Sequence, residues 1–156
     1  MDIEPIYDVF LSHNGKDKPA VEWLALKMVD AGLNPFLDKW NLVPGDPWQA
    51  EIEIALRASR SCAVFLGPSG LGGWHNEEMA AALDRAVAER KSLDKTKRFR
   101  VIPVLLPGAT MPEENKVPVF LANRTWVDFR YTLEDENSFH RLVSGIRGLP
   151  PGPPAR

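Results

Sequence analysis

The sequence predicts an α/β fold, a single flavodoxin-like, doubly wound domain with a five-stranded parallel sheet flanked by helices. Strand-like and helix-like runs alternate five times along the chain, and the clearest helix-like runs repeat apolar residues at helical spacing. The chain has 156 residues, of which 44% are hydrophobic and 26% are charged. These totals fit one globular domain with one buried core.

The five strands are predicted from short runs of apolar and β-branched residues between turn residues. They cover residues 7–12, 35–38, 62–66, 100–106 and 124–129. Pro103 lies inside the fourth run, and a proline cannot donate a hydrogen bond to a sheet ladder. The fourth strand should therefore be distorted, or Pro103 should lie where its missing N–H is not needed.

The helices are predicted from capping residues and apolar spacing. The first helix follows Asp17, which would cap it, and Gly32 would end it. The second follows an irregular loop at residues 39–45, and Asp46 would cap it. A third covers about residues 74–90. The last is marked by apolar residues at positions i, i+3, i+4 and i+7, namely Phe139, Leu142, Val143 and Ile146.

Composition excludes several classes of function. The net charge of −2 gives no global attraction to nucleic acid or to an anionic membrane. The single cysteine, Cys62, excludes a disulfide within the chain and is predicted to be a buried thiol. No histidine has a second ligand at metal spacing, and neither a signal peptide nor a long apolar stretch is present. The sequence thus predicts a soluble cytoplasmic protein with no metal, no membrane partner and no direct nucleic-acid partner.

Trp74 and Glu78 lie four residues apart at the start of the third helix, shortly after the third strand-like run. On a helix this spacing places both side chains on one face, about 40° apart. Ligands of open parallel sheets bind outside the carboxyl ends of the strands, where the loops converge. The indole and the carboxylate are therefore predicted to face a ligand cleft. The alternatives are that Trp74 anchors the core and that Glu78 only favours the helix dipole.

Three motifs in this order resemble those of the TIR domain family. They are the first-strand segment 7–13, the second-strand and BB-loop segment 36–46, and Trp74-x-x-x-Glu78. The resemblance covers residues 7–149 and implies a TIR domain at residues 1–148. The proline-rich residues 149–156 are then predicted to form a linker to a downstream module that senses a signal.

The family resemblance implies an enzymatic activity. Many TIR domains cleave NAD⁺ at the nicotinamide–ribose bond, and that activity needs the glutamate of the W-x-x-x-E motif, which is Glu78 by position. The chain would then be an NAD⁺ glycohydrolase with NAD⁺ as substrate and no separate cofactor. Homo-oligomerisation with other TIR domains would activate it as an immune or defence effector. One carboxylate suffices chemically, because nicotinamide leaves as a neutral group and needs no general acid.

The resemblance also nominates two sets of residues. The substrate-contact residues are His13, Asn14, Phe36, Asp38, Trp40 and Trp74. The BB loop, through which the domain would self-associate, consists of Leu42, Val43, Pro44, Gly45 and Asp46. Structural roles remain as alternatives: Phe36 as core, Asp38 as a loop cap and Trp40 as an aromatic facing a partner. Several well-known members have paired basic residues where this chain has His13 and Asn14, which leaves phosphate binding there in doubt.

Two other functions remain to be separated from the glycohydrolase. A non-catalytic TIR adaptor would only scaffold other TIR domains, and Glu78 argues against it because an adaptor needs no carboxylate there. A phosphoacceptor receiver domain has a similar topology but needs clustered acids at the end of the first strand. This chain has Leu11, Ser12 and His13 at that position.

A basic loop follows the third helix. Residues 90–100 contain six cationic side chains and the single acid Asp94. Such a loop is most simply a solvated surface, and contact with an acidic partner chain or nucleic acid is the alternative.

Overall fold

A computed structural model describes residues 5–70, 77–113, 116–118 and 121–154, with backbone only at residues 77–79. Its strands are Val9–Ser12 (β1), Pro35–Phe36 (β2), Ser61–Leu66 (β3), Arg100–Leu105 (β4) and Val127–Asp128 (β5). Its α-helices are Lys18–Asp30 (α1), Asp38–Asn41 (α2), Trp48–Arg57 (α3), Glu77–Glu89 (α4) and Glu136–Arg147 (α5), and one 3₁₀ turn covers Gly15–Asp17. None of these described helices is long and apolar enough to cross a membrane.

The five strands form one sheet in the order β2-β1-β3-β4-β5, and all four neighbouring pairs are parallel. This is the flavodoxin-like strand order, so the predicted fold class is confirmed. The strand order reverses at β1, which has β2 on one side and β3 on the other. The loops that follow β1 and β3 therefore diverge and leave a crevice at the carboxyl edge of the sheet.

The core lies in two layers, one on each face of the sheet. Along β1, Val9 and Leu11 pack into the layer beneath α1 and α5, whereas Phe10 packs into the layer beneath α3 and α4. This alternation is the period of two that a strand imposes. Cys62 belongs to the second layer, where it is fully buried, and burial raises the pKa of its thiol.

Pro103 lies in an unbroken β4, in register with Val64 of β3. The Phe129 N–H donates to the Leu105 carbonyl, so the polar groups of Leu105 face β5. Polar groups alternate sides along a parallel strand, and the nitrogen of Pro103 must therefore face β5 as well. The ladder to β5 begins only at Val104. Of the two predicted outcomes, a distorted strand or a Pro103 whose missing N–H is not needed, the second is therefore the one observed.

Local predictions at two helix starts are wrong in detail. Asp17 precedes α1 as expected, but its side chain makes no capping hydrogen bond, because its carboxylate accepts the N–H of Gly67 instead. Asp46 does not cap α3. That helix begins one residue later than predicted, at Trp48, with Pro47 in the N-cap position and no side-chain cap.

Two other segments also differ from expectation. The loop predicted as irregular from residue 39 begins with α2, whose first turn is held by the Asn41 side-chain oxygen accepting the Leu37 N–H at 2.9 Å. The fifth strand contains only Val127 and Asp128 of the six residues predicted, since its pairing to β4 is that short.

The start of the proline-rich tail packs against α5. Gly148, at a φ of +73°, ends the helix in the left-handed conformation, and the Leu149 N–H donates to the Ser144 carbonyl. The His140 Nε2–H then donates to the Pro151 carbonyl at 2.7 Å. The predicted linker therefore begins as a segment fixed to the domain.

Candidate active site

The candidate site lies at the carboxyl edge of the sheet, beside the crevice between β1 and β3. Residues 13–17 follow β1, α2 follows β2, and Gly67 follows β3. Helix α4 ends near the opposite edge, where the Phe99 N–H donates to the Arg90 carbonyl just before β4. The first turn of α4, which contains the backbone of Glu78, must therefore start at the carboxyl edge. The side chain of Glu78 and the whole of Trp74 lie outside the described residues.

His13 is a neutral ring held in one tautomer. Its side chain is only 4% exposed, and its Nδ1–H donates to the Leu11 carbonyl at 3.1 Å. Because a carbonyl can only accept, Nε2 carries the lone pair. That atom lies 3.9 Å from Asp38 Oδ1. Burial lowers the pKa of His13, although the Leu11 carbonyl and Asp38 act in the opposite direction. His13 thus offers an acceptor at neutral pH rather than a positive charge.

Lys18 and Asp38 form an ion pair beside His13. Lys18 Nζ donates to Asp38 Oδ1 at 2.6 Å, and the Lys39 N–H donates to the same oxygen at 2.7 Å. Burial raises the pKa of Asp38. The hydrogen bond from Lys18, nearby positive charge and the Lys39 N–H together outweigh burial, so the pKa of Asp38 lies below its ordinary value. A second pair, Lys39 Nζ to Glu22 Oε2 at 2.9 Å, also holds α2 against α1.

Asp17 joins the loop after β1 to the loop after β3. It is 6% exposed and accepts the Gly67 N–H. A Cβ at position 67 would lie 2.0 Å from Asp17 Oδ1, so the contact requires glycine. Burial raises the pKa of Asp17, against the effects of the Gly67 N–H and of His13. The sequence pattern explains Asp17 only as a helix cap. The signal that could have shown its partner is the glycine directly after β3.

The other predicted substrate-contact residues have distinct positions. Asn14 is buried and its Oδ1 accepts the Lys16 N–H at 3.1 Å, which caps the 3₁₀ turn. Phe36 is 3% exposed and stacks on Phe10 with ring centroids 4.9 Å apart. Trp40, on α2, is 38% exposed. The structure thus brings His13 and Asp38 together with Lys18 and Asp17. Contact between NAD⁺ and the six predicted substrate-contact residues stays a prediction.

The BB loop forms an exposed, partly apolar surface next to the site. Leu42 packs against the core, whereas Val43 is 61% exposed and Pro44 to Asp46 are also exposed. The Asp46 N–H donates to the Val43 carbonyl at 3.1 Å, and Gly45 has a φ of +96° that favours glycine. Trp48, which opens α3, is 56% exposed. Exposed apolar side chains of this kind suit contact with another protein.

Replacing Lys18 by Met is expected to raise the pKa of Asp38, because burial then acts without its main opposing charge. The pKa of His13 should rise as well, since Lys18 lowers it. The pair is partly exposed, so its loss should lower the free energy of unfolding by only about 0.5 kcal/mol. NMR titration of the carboxyl and imidazole carbons measures both values. The matched control is Lys27→Met, which removes the Lys27–Glu136 pair and should leave Asp38 unchanged.

The chain matches the family model described as TIR domain over residues 9–143. It is 33% identical over 85 residues to the NAD(+) hydrolase TirS of Staphylococcus aureus, a match that covers 53% of this chain and 30% of that protein. It is 32% identical over 92 residues to the 2' cyclic ADP-D-ribose synthase AbTIR of Acinetobacter baumannii, covering 58% and 34%. The matched stretch is thus about a third of each of these relatives.

Solved structures share the fold. A metazoan TIR-STING receptor from C. gigas, in complex with 2',3'-cGAMP, superposes with a TM-score of 0.71 at 16% identity, covering 96% of this chain and 42% of that one. The TIR domain of the Toll-related receptor TRR-2 from Hydra magnipapillata gives a TM-score of 0.62 at 22% identity, covering 90% and 98%. At these identities the likeness extends to the fold alone.

Proposed function

We propose that this chain, which belongs to the TIR domain family, cleaves NAD⁺ at the nicotinamide–ribose bond with Glu78 as its catalytic carboxylate. The observation that carries this proposal is the position of Glu78 in the first turn of α4, at the same sheet edge as His13, Asp38 and Lys18. The similarity to a bacterial NAD(+) hydrolase and to a bacterial 2' cyclic ADP-D-ribose synthase supports the proposal. The proposed site of action is the cytoplasm.

The chemistry requires little from the protein beyond charge and positioning. When the N-glycosidic bond breaks, its electron pair moves to the nicotinamide nitrogen and cancels the positive charge there. The ribosyl carbon becomes cationic, and the carboxylate of Glu78 stabilises it. A water oxygen, or a hydroxyl of the same molecule, then bonds to this carbon and releases a proton. The products are nicotinamide and either ADP-ribose or a cyclic variant.

The described residues can supply the substrate contacts. His13 Nε2 and Asp38 Oδ2, which accepts no hydrogen bond from the described residues, are acceptors that suit ribose hydroxyls. Lys18 provides a cation at the corner where His13 is neutral, although Asp38 already balances its charge. Trp40 and Trp74 are the proposed aromatic walls, and Asn14 and Phe36 position the ends of β1 and β2.

Self-association is proposed to activate the enzyme as an immune or defence effector. The exposed side chains of Val43 and Trp48 are the observation that supports contact through the BB loop. The same surface would also serve a non-catalytic TIR adaptor, which is therefore the competing function.

The clustered domain is expected to release nicotinamide from NAD⁺, and the dispersed domain should release less. The purified chain would be attached through a C-terminal tag to a clustering support and, in parallel, kept dilute in solution. Chromatography would quantify nicotinamide together with linear and cyclic ADP-ribose. Raising the concentration of the wild-type chain in solution should also increase nicotinamide release per molecule. A Val43→Asp variant, which puts a charge on the BB loop, should not show this increase. If the clustered wild-type chain releases no nicotinamide above the protein-free rate, the adaptor becomes the better description.

A further inference from the structure

A groove whose described charged side chains are all cationic lies at the opposite edge of the sheet, where β4 and β5 begin. Two adjoining cavities of about 330 and 320 Å³ form it, and both are lined by Arg100, Gly145 and Leu149. We call it the basic groove. Its charged side chains are Lys95, Arg98, Arg100, Arg124 and Arg141. It contains part of the basic loop that the sequence showed, and the proposed NAD⁺ site does not use it.

Three arginines of the basic groove, Arg98, Arg100 and Arg141, have no acidic partner among the described residues. Among the described residues that line the two cavities, none is Asp or Glu. Arg98 donates to the Ser92 carbonyl at 3.0 Å and Arg100 to the Lys95 carbonyl at 3.1 Å, and each guanidinium has five N–H groups. Within the described ranges, neither forms an ion pair, and Arg141 has none either.

The arginines are crowded as well as partly buried. Burial lowers the pKa of Arg100, and the charges of Arg98 and Arg124 lower it further. Arg124 is also partly buried and is influenced by Asp84, which opposes the effect of burial on its pKa. Like charges held together in a partly desolvated groove repel one another, so an anion that bridges them gains free energy from each.

Two structural explanations account for only part of this arrangement. Hydrogen bonds from Arg98 and Arg100 hold the loop of residues 92–99, but Arg124 and Arg141 lie outside that loop. The C-terminus of α5 favours a nearby cation, yet a helix end carries only about half a charge. The charges of Arg98, Arg100 and Arg141 together therefore exceed what either explanation needs.

We propose that the basic groove binds a small phosphate-bearing anion of di- or triphosphate size. Several guanidinium groups around one groove favour phosphate, because each offers a fork of N–H donors that matches two phosphate oxygens. The two cavities adjoin at Arg100, so a bridging polyphosphate could contact Arg98 on one side and Arg124 and Arg141 on the other. The groove and the proposed NAD⁺ site lie at opposite edges of the sheet, and this proposal is independent of catalysis.

The test is calorimetric titration and thermal unfolding of the full chain with inorganic pyrophosphate, tripolyphosphate and ADP, against sodium chloride of equal ionic strength. Tripolyphosphate should bind with measurable heat and raise Tm more than chloride does. Arg100→Gln should weaken binding by about tenfold or more, the loss expected when hydrogen bonds to a charged group are removed. Since Arg100 also holds a loop, Arg141→Gln provides a second variant. Arg141 makes no hydrogen bond within the described part of the chain, and its replacement should weaken binding without unfolding the protein.

Arg57→Gln is the matched control. It removes the same charge from an exposed position on α3 that lines neither cavity of the groove, and it should leave binding within about twofold. Tighter binding of ADP than of pyrophosphate would identify a nucleotide as the source of the phosphate, and the reverse would identify an inorganic anion. The proposal is wrong if tripolyphosphate acts no more strongly than chloride, or if Arg57→Gln weakens binding as much as Arg141→Gln. Binding of a single-stranded oligonucleotide without binding of tripolyphosphate would also overturn it.

Discussion

Replacing Glu78 by Gln is expected to reduce nicotinamide release by the clustered domain by about 10³-fold or more. Glutamine keeps the size and hydrogen-bonding capacity of the side chain but removes the negative charge that would stabilise the ribosyl cation. If the charge acts mainly on the transition state, kcat should fall while KM for NAD⁺ changes little. Initial rates over a range of NAD⁺ concentrations, measured with the clustered variant and the clustered wild type, give both constants.

Glu77→Gln is a control matched to this variant in chemistry and place. Both glutamates lie in the first turn of α4, so either change removes one carboxylate from a helix N-terminus. That loss should reduce the free energy of unfolding by about 0.3–1 kcal/mol in each case. Only Glu78→Gln should lose activity beyond the effect on stability. Equal turnover by Glu78→Gln and wild type would remove Glu78 from the mechanism, and equal loss in the two variants would indicate a structural effect at the helix start.

The fold could be predicted because local patterns and burial agree along most of the chain. In β1, Val9, Phe10 and Leu11 form an apolar run that is covered by helices on both faces, which is what such a run predicts. Helix α5 shows the same agreement, since Leu142, Val143 and Ile146 repeat at helical spacing and are all buried. By contrast, α2 has four residues, too few for any apolar repeat to mark it.

The candidate site was predicted in part, for a physical reason. His13 and Asp38 belong to motifs at strand ends, so their positions follow from the topology alone. Local sequence explains Asp17 as a cap of α1 and gives Lys18, the next residue, no separate role. Their partners, Gly67 and Asp38, lie 50 and 20 residues further along the chain. Nothing in local periodicity encodes such contacts between loops, and they appear only when the strands are paired.

Replacing Gly67 by Ala is expected to destabilise the domain by about 2–3 kcal/mol. The new Cβ would lie 2.0 Å from Asp17 Oδ1, and the buried carboxylate can move away only by giving up the Gly67 N–H. The loop after β3 leads into α4, so nicotinamide release by the clustered domain should fall as well. Denaturant unfolding followed by tryptophan fluorescence measures the stability, and the nicotinamide assay measures the activity.

Gly15 provides a matched glycine control in the loop after β1. A Cβ there meets nothing within 4 Å, so Gly15→Ala should change stability by about 0.5 kcal/mol or less. Asp17→Ala leaves the Gly67 N–H without its acceptor and should cost about 1–3 kcal/mol. The double variant Asp17→Ala, Gly67→Ala no longer has the collision, so its loss should be smaller than the sum of the two single losses. Additive losses would show that the collision does not cause the effect of Gly67→Ala.

The Asp17 carboxylate should make the free energy of unfolding depend on pH in a way that the Asp17→Ala variant can reveal. Burial raises the pKa of Asp17 in the folded protein, so between the ordinary aspartate pKa and the raised value the folded state holds a proton that the unfolded chain has released. The contribution of Asp17 to stability is therefore fully present below the ordinary value and is lost as pH rises through the raised value. Asp17→Ala should remove this decline, while Lys18→Met, which leaves Asp17 in place, should retain it. The free energy of unfolding would be measured at a series of acid pH values. If it falls equally with rising pH in the wild type and in Asp17→Ala, another group causes the fall. The pKa of Asp17 is then not raised by its burial against Gly67.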